Sequence, residues 1–125
     1  MTVVVDTSAL FAILFGESEG RRCITVLAEA ERPLISAATV AEALIVAGRR
    51  GQRTEMERLI ARLGAEIIPM TDGAAVADAY DRWGKGVHRA GLNFGDCFAY
   101  ALAKDRGCRI LFVGEDFAQT DLPAA

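Results

Sequence analysis

The spacing of hydrophobic residues alternates between two patterns along the chain. Short β-branched and apolar runs, bounded by polar residues, glycine or proline, predict strands. Between these runs, apolar residues recur every three or four positions and predict helices. The predicted strands cover residues 3–5, 33–35, 66–69 and 110–113. The predicted helices cover residues 7–14, 18–31, 36–51, 56–63, 76–83 and 93–107.

This alternation predicts an α/β fold, in which a mainly parallel central sheet carries helices on both faces. No linker, repeat or low-complexity tract divides the sequence, so we expect one domain over residues 1–125. The composition, 52% hydrophobic and 25% charged, is typical of a globular protein.

The sequence does not have the features of a membrane or secreted protein. No apolar stretch reaches the length of a membrane span, and the apolar run over residues 2–15 contains Asp6 and has no basic leader. The three cysteines, Cys23, Cys97 and Cys108, show neither metal-ligand nor redox spacing. We therefore expect reduced thiols and a cytoplasmic location.

The net charge of -3 at pH 7 weighs against a protein that binds nucleic acid by bulk electrostatics alone. The charge of the remaining surface is different if some acids bind metal. With four of the 17 Asp and Glu residues assigned to a metal, 13 remain against 14 Lys and Arg, and the rest of the surface is about neutral. Twelve of the 14 are Arg, which suits bidentate phosphate contacts and equally fits an arginine-favouring genome.

Four acidic residues lie at strand ends or in apolar helical segments, where the predicted fold does not require a charged side chain. Asp6 directly follows the first strand, and Asp116 comes shortly after the last one. In parallel sheets, ligands bind beyond the carboxyl ends of the strands. Glu42 and Asp96 are the only charged residues in two otherwise apolar segments that are predicted to be helical. A buried carboxylate without a partner costs several kcal/mol, so each of these acids requires an explanation.

Each of the four acids also has a purely structural explanation. Asp6 can cap the helix that follows it, and Asp96 can form a capping box with Asn93. Glu42 can face solvent, and Asp116 can be an ordinary turn residue. If all four converge, however, carboxylates ~4 Å apart repel by about 4 kcal/mol at an effective dielectric near 20. Such a set either shares protons or binds hard divalent cations, and Mg²⁺ and Mn²⁺ prefer oxygen ligands of this kind.

The remaining candidate motifs are weaker. His88 is the only histidine, which excludes a paired-histidine nuclease and a histidine-based zinc site. The Gly-Lys-Gly run at residues 84–86 lacks the rest of either phosphate-loop pattern. Ser8 has no histidine partner and is expected to cap a helix, while Glu115 is expected to be a turn acid.

Four segments match a known family, and they occur in the family's order over nearly the whole chain. They are Val-Val-Asp-Thr-Ser-Ala-Leu (4–10), Ala-Glu-Ala-Leu (41–44), Gly-Leu-Asn-Phe-Gly-Asp-Cys-Phe-Ala-Tyr-Ala-Leu-Ala (91–103) and Gly-Glu-Asp-Phe (114–117). Together they resemble the PIN-domain ribonucleases, specifically the VapC-type toxins of bacterial type II toxin–antitoxin systems. The segment around Asp96 is the most specific of the four.

This resemblance implies a Rossmann-like PIN domain with its acids gathered at one edge of the sheet. It implies endonucleolytic cleavage of RNA by a water that Mg²⁺ activates, with Mn²⁺ as a substitute. The implied partners are the RNA substrate and a cognate antitoxin protein, with a homodimer that forms a heterotetramer or larger assembly with the antitoxin, and no membrane. The implied metal ligands and catalytic residues are Asp6, Glu42, Asp96 and Asp116.

One departure from the family pattern is visible, because the last motif commonly reads Gly-Asn-Asp-Phe and here Glu115 replaces the asparagine. This puts the geometry around Asp116 in question. By position, Thr7 or Ser8 is expected to orient Asp6 or a bound water. Three arginines are the first candidates to position the RNA backbone: Arg49, Arg50 and Arg89.

Two other classes of function fit parts of the pattern. An acid-rich α/β phosphatase or a phosphate-accepting receiver domain also places a carboxylate after its first strand. The phosphatase needs a second aspartate where Ser8 stands, and the receiver needs paired acids and a late lysine that the sequence does not place. The other class is a catalytically inert PIN-like interaction module, which a metal titration distinguishes from an enzyme.

Overall fold

The computed structural model describes residues 1–70 and 72–125. Within them, four parallel strands form one sheet in the order β3-β2-β1-β4, surrounded by six α-helices. The strands are β1 (Thr2–Val5), β2 (Arg32–Ser36), β3 (Glu66–Ile68) and β4 (Arg109–Leu111). The helices are α1 (Thr7–Leu14), α2 (Gly20–Glu29), α3 (Ala37–Arg49), α4 (Arg53–Leu63), α5 (Gly73–Trp83) and α6 (Phe94–Arg106). A 3₁₀ turn follows β4 at Phe117–Gln119.

The central strand β1 contributes to a hydrophobic core on each face of the sheet. Val4 packs on one face with residues of α5 and α6, while Val3 and Val5 pack on the other face with residues of α1 to α4. All three valines are fully buried, as expected for successive side chains that point to opposite faces of a covered strand. The expected fold class, a parallel sheet with helices on both faces, is confirmed.

Strand pairing brings the carboxyl ends of β1, β2 and β4 to the same edge of the sheet. β1 pairs with β2 on one side and with β4 on the other, for example through Val4 and Ile110. The pairing continues one residue beyond β1, where the Asp6 N–H donates to Leu111 O at 3.0 Å. Residues that follow these three strands therefore meet at one edge, although they lie far apart in the sequence.

A buried polar network ties α5, α6 and the C-terminal segment together. The Trp83 indole N–H donates to the Tyr100 hydroxyl at 2.8 Å, and that hydroxyl donates to Asp121 Oδ1 at 2.7 Å. Lys104 Nζ donates to Asp121 Oδ2 at 3.0 Å. Because both indole and hydroxyl are buried, this network satisfies polar atoms that would otherwise destabilise the core.

Several boundaries differ from those predicted by the sequence. The helix expected at 18–31 spans Gly20–Glu29, and the last strand, expected at 110–113, ends at Leu111. It ends early because the Val113 N–H donates to the Ser8 hydroxyl at 2.9 Å instead of to a neighbouring strand. Residues 123–125 were not predicted to pair, yet they add a parallel bridge to the outer side of β4 at Ile110. In the described residues, no helix has both the length and the apolar character to cross a bilayer.

Candidate active site

Asp6 ends the central strand and begins the helix after it. It is the N-cap of α1, and its Oδ2 accepts hydrogen bonds from the Ser8 N–H (3.0 Å) and the Ser8 hydroxyl (2.7 Å). The residue is only 3% exposed. Burial raises the pKa of Asp6 to about 6, and the negative charge of Glu42 adds to this, while the bonds from Ser8 act in the opposite direction. Ser8 was expected to cap a helix. Asp6 caps α1 instead, and Ser8 donates the hydrogen bonds that Asp6 accepts.

Asp96 lies in the first turn of α6 and is 8% exposed. It forms the expected capping box: its N–H donates to Asn93 Oδ1 at 2.8 Å, and its Oδ2 accepts from the Asn93 N–H at 2.9 Å. Burial first, and then three neighbouring carboxylates, raise the pKa of Asp96 to about 7. The three neighbours are Asp6, Asp116 and Glu42. All four predicted acids therefore interact electrostatically at this edge of the sheet.

Glu42 approaches the site from α3, which starts at the end of β2 and is capped by Ser36. The residue is half-buried, and its carboxylate lies against the first turn of α6. A Cβ built on Gly95 would overlap both the carboxylate carbon and its oxygens. Glu42 is therefore not on a solvent-facing side of α3, and the close approach requires a glycine at position 95.

Asp116 reaches the site from the turn after β4. The turn passes through Gly114, whose φ of 106° is strained for residues with a side chain, and continues into the 3₁₀ turn. Asp116 is exposed, but its charge contributes to the raised pKa of Asp96. Glu115, in contrast, lines a separate cleft with Glu19 and Arg22. The residue that departs from the family pattern is thus directed to a different surface.

The four acids form an open arrangement without countercharges. The ion pairs among the described residues, with N–O distances up to 4.0 Å, all involve other acids. Within residues 1–70 and 72–125, no group of three or more His, Cys, Asp or Glu side chains is arranged so that it could hold a metal ion. The site is therefore an acidic edge and not a preformed metal cage.

Comparison with known proteins identifies the family. The profile of the PIN domain matches residues 3–122. Ribonuclease VapC36 of Mycobacterium tuberculosis is 46% identical over 126 residues, covering 96% of this chain and 91% of the relative. The chain belongs to the PIN-domain family, in its VapC branch.

Two solved structures have the same fold as this PIN domain. M. tuberculosis VapC20, described as a sarcin–ricin loop cleaving toxin, superimposes with a TM-score of 0.80 over 98% of both chains, at 16% identity. A toxin–antitoxin complex from Klebsiella pneumoniae gives a TM-score of 0.67 at 19% identity, covering 95% of this chain and 92% of that one. At these identities the agreement concerns the fold alone.

The chemistry of the PIN-domain edge fits a hard divalent cation. Its donors are carboxylate oxygens, and the two most buried acids, Asp6 and Asp96, each use Oδ2 for the local hydrogen bonds. Their Oδ1 atoms are not among the fully buried polar atoms that lack a partner. Mg²⁺ usually retains several waters and uses only one or two carboxylates, so an open edge suits it better than a closed cage does.

Ser8 takes the role that was expected of Thr7 or Ser8, whereas Thr39 is a buried hydroxyl residue that the sequence did not indicate. The Ser8 hydroxyl donates to Asp6 and accepts from the Val113 N–H, so it joins the residues after β1 and β4. In the sequence, this role of Ser8 was indicated by its position two residues after Asp6. Thr39 lies one turn before Glu42 on α3, and its Oγ1 is the only fully buried side-chain polar atom without a partner in the described part of the chain.

The three candidate arginines lie in two segments, since Arg49 and Arg50 are consecutive at the end of α3 and Arg89 lies in the loop before α6. The Arg50 guanidinium stacks 4.3 Å from the centre of the Phe15 ring. Arg50 follows the last residue of α3, eight residues beyond Glu42, which places it about 12 Å further along the helix axis. Arg89 lies in the loop that precedes α6 and is exposed. Of the three, only Arg89 is in a segment that leads directly into the acidic edge.

Proposed function

We propose that this chain is an endoribonuclease that hydrolyses RNA with the help of Mg²⁺, for which Mn²⁺ can substitute. The observation that carries the proposal is the pair of buried acids, Asp6 and Asp96, at the carboxyl edge of the sheet, with pKa values of about 6 and about 7. Buried like charges without a countercharge are costly. A divalent cation is the species that offsets this cost most effectively with oxygen ligands alone.

In this proposal each acid has a definite place. Asp6 and Asp96 are the principal ligands, because they are the most buried and are held by local hydrogen bonds. Glu42 and Asp116 flank them and complete the same site or a second one. The cation that these carboxylates would hold would supply Lewis acidity, lowering the pKa of a bound water and offsetting negative charge on the phosphate. Ser8 fixes the rotamer of Asp6 and thereby the direction of its Oδ1.

The names of the relatives support RNA as the substrate. M. tuberculosis VapC36, at 46% identity, is named a ribonuclease, and VapC20 is described as a toxin that cleaves the sarcin–ricin loop. The Klebsiella complex supports the further proposal that this chain is the toxin of a type II toxin–antitoxin pair. In that role it acts in the cytoplasm as a homodimer, and its cognate antitoxin binds it in a heterotetramer or larger assembly that blocks the acidic edge.

The proposal is tested by Asp96→Asn, with Glu115→Gln as the matched control. Asparagine keeps an oxygen that can accept from the Asn93 N–H, so the capping box and the fold are retained. We expect Asp96→Asn to cleave single-stranded RNA at least about 100-fold more slowly in Mg²⁺ or Mn²⁺, since a ligand to the activating cation is lost. Glu115→Gln, which removes a neighbouring acid that faces a different cleft, should cleave like the parent.

Thermal melts with and without Mg²⁺ separate the enzyme from an inert interaction module. The parent should gain stability with Mg²⁺, because an ion that binds only the folded state raises Tm. This gain should shrink in Asp96→Asn and persist in Glu115→Gln. A parent chain with neither a Mg²⁺-dependent Tm shift nor cleavage would be an inert module, and an Asp96→Asn variant as active as the parent would refute the ligand assignment.

A further inference from the structure

The segment at residues 84–94, here called the 84–94 platform, joins α5 to α6 and is basic in an otherwise acidic chain. It contains Lys85, His88 and Arg89, and no Asp or Glu occurs between Asp81 and Asp96. Lys85 and Arg89 are exposed. Neither takes part in an ion pair within the described residues. Two exposed cations are therefore available to an anionic ligand.

Backbone hydrogen bonds hold the 84–94 platform in one conformation. The Lys85 N–H donates to Leu92 O at 2.9 Å, and the Leu92 N–H donates to Trp83 O at 3.0 Å, which closes the loop at its base. The His88 N–H donates to Gly84 O, and its ring packs perpendicular to the Trp83 ring with centroids 4.7 Å apart. A loop that is fixed in this way loses little conformational entropy when it binds a ligand.

Phe94 is the most exposed large hydrophobic residue in the described part of the chain, at 72%. Its ring is nevertheless anchored, because it packs perpendicular to the ring of buried Phe98 with centroids 4.9 Å apart. An exposed aromatic ring that is held rigidly offers a flat surface on which another ring can stack. The core does not require Phe94, so its role lies at the surface.

The platform is connected directly to the acidic edge. The Asn93 N–H donates to Asp96 Oδ2 at 2.9 Å, and Phe94 is the first residue of α6. Phe94 and Asp96 share one helical turn, so their Cα atoms are about 5.4 Å apart while their side chains point about 200° apart around the helix axis. A ring that stacks on Phe94 therefore lies on the opposite side of the first turn of α6 from the Asp96 carboxylate and does not cover the acids.

We propose that the 84–94 platform binds a nucleotide of single-stranded RNA outside the acidic edge, with the base stacked on Phe94 and the backbone phosphates held by Lys85 and Arg89. The inference rests on the proposed function, because it takes RNA as the substrate. Aromatic rings together with cations that follow the backbone are the usual means of binding single strands. The base on Phe94 must be unpaired, because bases within a duplex are already stacked. The platform thus selects unpaired RNA over duplex.

The decisive measurement is the affinity for RNA in EDTA, which does not depend on cleavage. Phe94→Ala should bind a short labelled single-stranded RNA about 5- to 150-fold more weakly than the parent. It should bind a strand of the same length that lacks all its bases as well as the parent does. Phe94→Trp should retain the affinity, since a larger ring stacks equally well. Ile45→Ala, which removes another exposed apolar side chain, on α3, is the matched control and should change neither affinity.

Salt dependence tests the two cations separately. Lys85→Ala and Arg89→Ala should each reduce the slope of log K against log salt by about 0.7, the value for one phosphate contact on a single strand. Phe94→Ala should leave the slope unchanged. Arg58→Ala, which removes an exposed cation of α4, should also leave the slope unchanged.

Three results would contradict the proposal that the 84–94 platform binds RNA. One is an equal loss of affinity of Phe94→Ala for the intact and the base-free strand. A second is parental RNA affinity in Phe94→Ala combined with a changed sedimentation coefficient, which would make Phe94 a contact to another protein chain. The third is cleavage by the parent without any Phe94-dependent binding. In contrast, Phe94-dependent binding without cleavage in Mn²⁺ would refute the proposed hydrolase and leave the platform as the RNA-binding element.

Discussion

The carboxylate of Glu42 occupies the space that a side chain on Gly95 would fill. This relationship joins α3 to the first turn of α6 and sets how closely Glu42 can approach Asp96. It also explains why a residue with poor helix propensity stands inside α6. A methyl group at position 95 has to displace the carboxylate, so the geometry of the acidic edge depends on the absence of one carbon atom.

Gly95→Ala is expected to impair cleavage much more than stability. The gain in helix propensity, at most about 1 kcal/mol, offsets part of the clash with the flexible Glu42 side chain. Cleavage in Mg²⁺ should fall by about 10-fold or more, because the displaced carboxylate no longer lies beside Asp96. Measurements of kcat and Tm on the same protein check both expectations. In a Glu42→Ala background the Gly95→Ala change should have no further effect on kcat, and an additive loss there would contradict the explanation.

Ser8→Ala is expected to destabilise the protein by about 1–3 kcal/mol, because it leaves the Val113 N–H without its acceptor and removes a donor from Asp6. It should also raise the pKa of Asp6 further, since the bond from Ser8 lowers it at present. The acidic limb of the cleavage profile should then move to higher pH. Urea unfolding and a pH–rate profile measure these effects. Thr25→Ala, which removes an exposed hydroxyl on α2, should change neither.

The metal-free protein is expected to become less stable as the pH rises from 5 to 8. The pKa values of Asp6 and Asp96 in the folded state, about 6 and about 7, lie above the ordinary value of 3.8. The folded state therefore binds these protons more tightly than the unfolded state, and its advantage is lost as the pH passes through 6 and 7. The loss should be on the order of 2–4 kcal/mol for both groups together. Melts in EDTA measure it.

Two controls accompany this pH prediction. Asp96→Asn should remove the larger part of the pH dependence, because it deletes the group with the higher pKa. Mg²⁺ at pH 8 should restore much of the lost stability, since the cation replaces the protons. A Tm that rises between pH 5 and pH 8 in EDTA would contradict the burial of two carboxyl groups at this edge.

Tyr100→Phe is expected to cost stability without affecting cleavage. The Tyr100 hydroxyl joins the Trp83 indole to Asp121, and its loss leaves the buried indole N–H unpaired, at a cost of about 1–3 kcal/mol. The matched control is Tyr80→Phe, because the Tyr80 hydroxyl is exposed and makes only a long bond of 3.4 Å to Lys85 O. Urea unfolding should separate the two variants clearly, while their kcat values should equal that of the parent. Equal losses of stability in the two variants would show that the hydrogen bonds of the Tyr100 hydroxyl do not contribute to the free energy of unfolding.

Much of the fold could be predicted from the sequence because the spacing of apolar residues indicates which face of each helix or strand is buried. The valines of β1 alternate between two cores, and the apolar positions of α3 and α6 face them. The candidate acids could also be selected, since a charge in an apolar segment is informative wherever the segment folds. Asp6 and Asp96 proved to serve as helix caps as well, so the structural and chemical interpretations were compatible and not alternatives.

Other features depend on contacts that no local pattern encodes. The role of Ser8 requires the ends of β1 and β4 to meet across 105 residues. The pairing of residues 123–125 with Ile110 uses backbone atoms, and the sequence Pro-Ala-Ala has no strand character. The position of Glu115 in the cleft that Glu19 and Arg22 also line follows from the turn at Gly114 and not from its neighbours in sequence.

The pairing of β1 with β4 also has a consequence for synthesis of the protein. β1 is translated before the other three strands yet pairs with β4, so the centre of the sheet cannot close until residues 109–111 have left the ribosome. Asp6 emerges early but meets Asp96 only after that closure. A chain whose translation stops before β4 would therefore lack the edge at which the proposed cleavage takes place, and it would leave the RNA of its own ribosome intact.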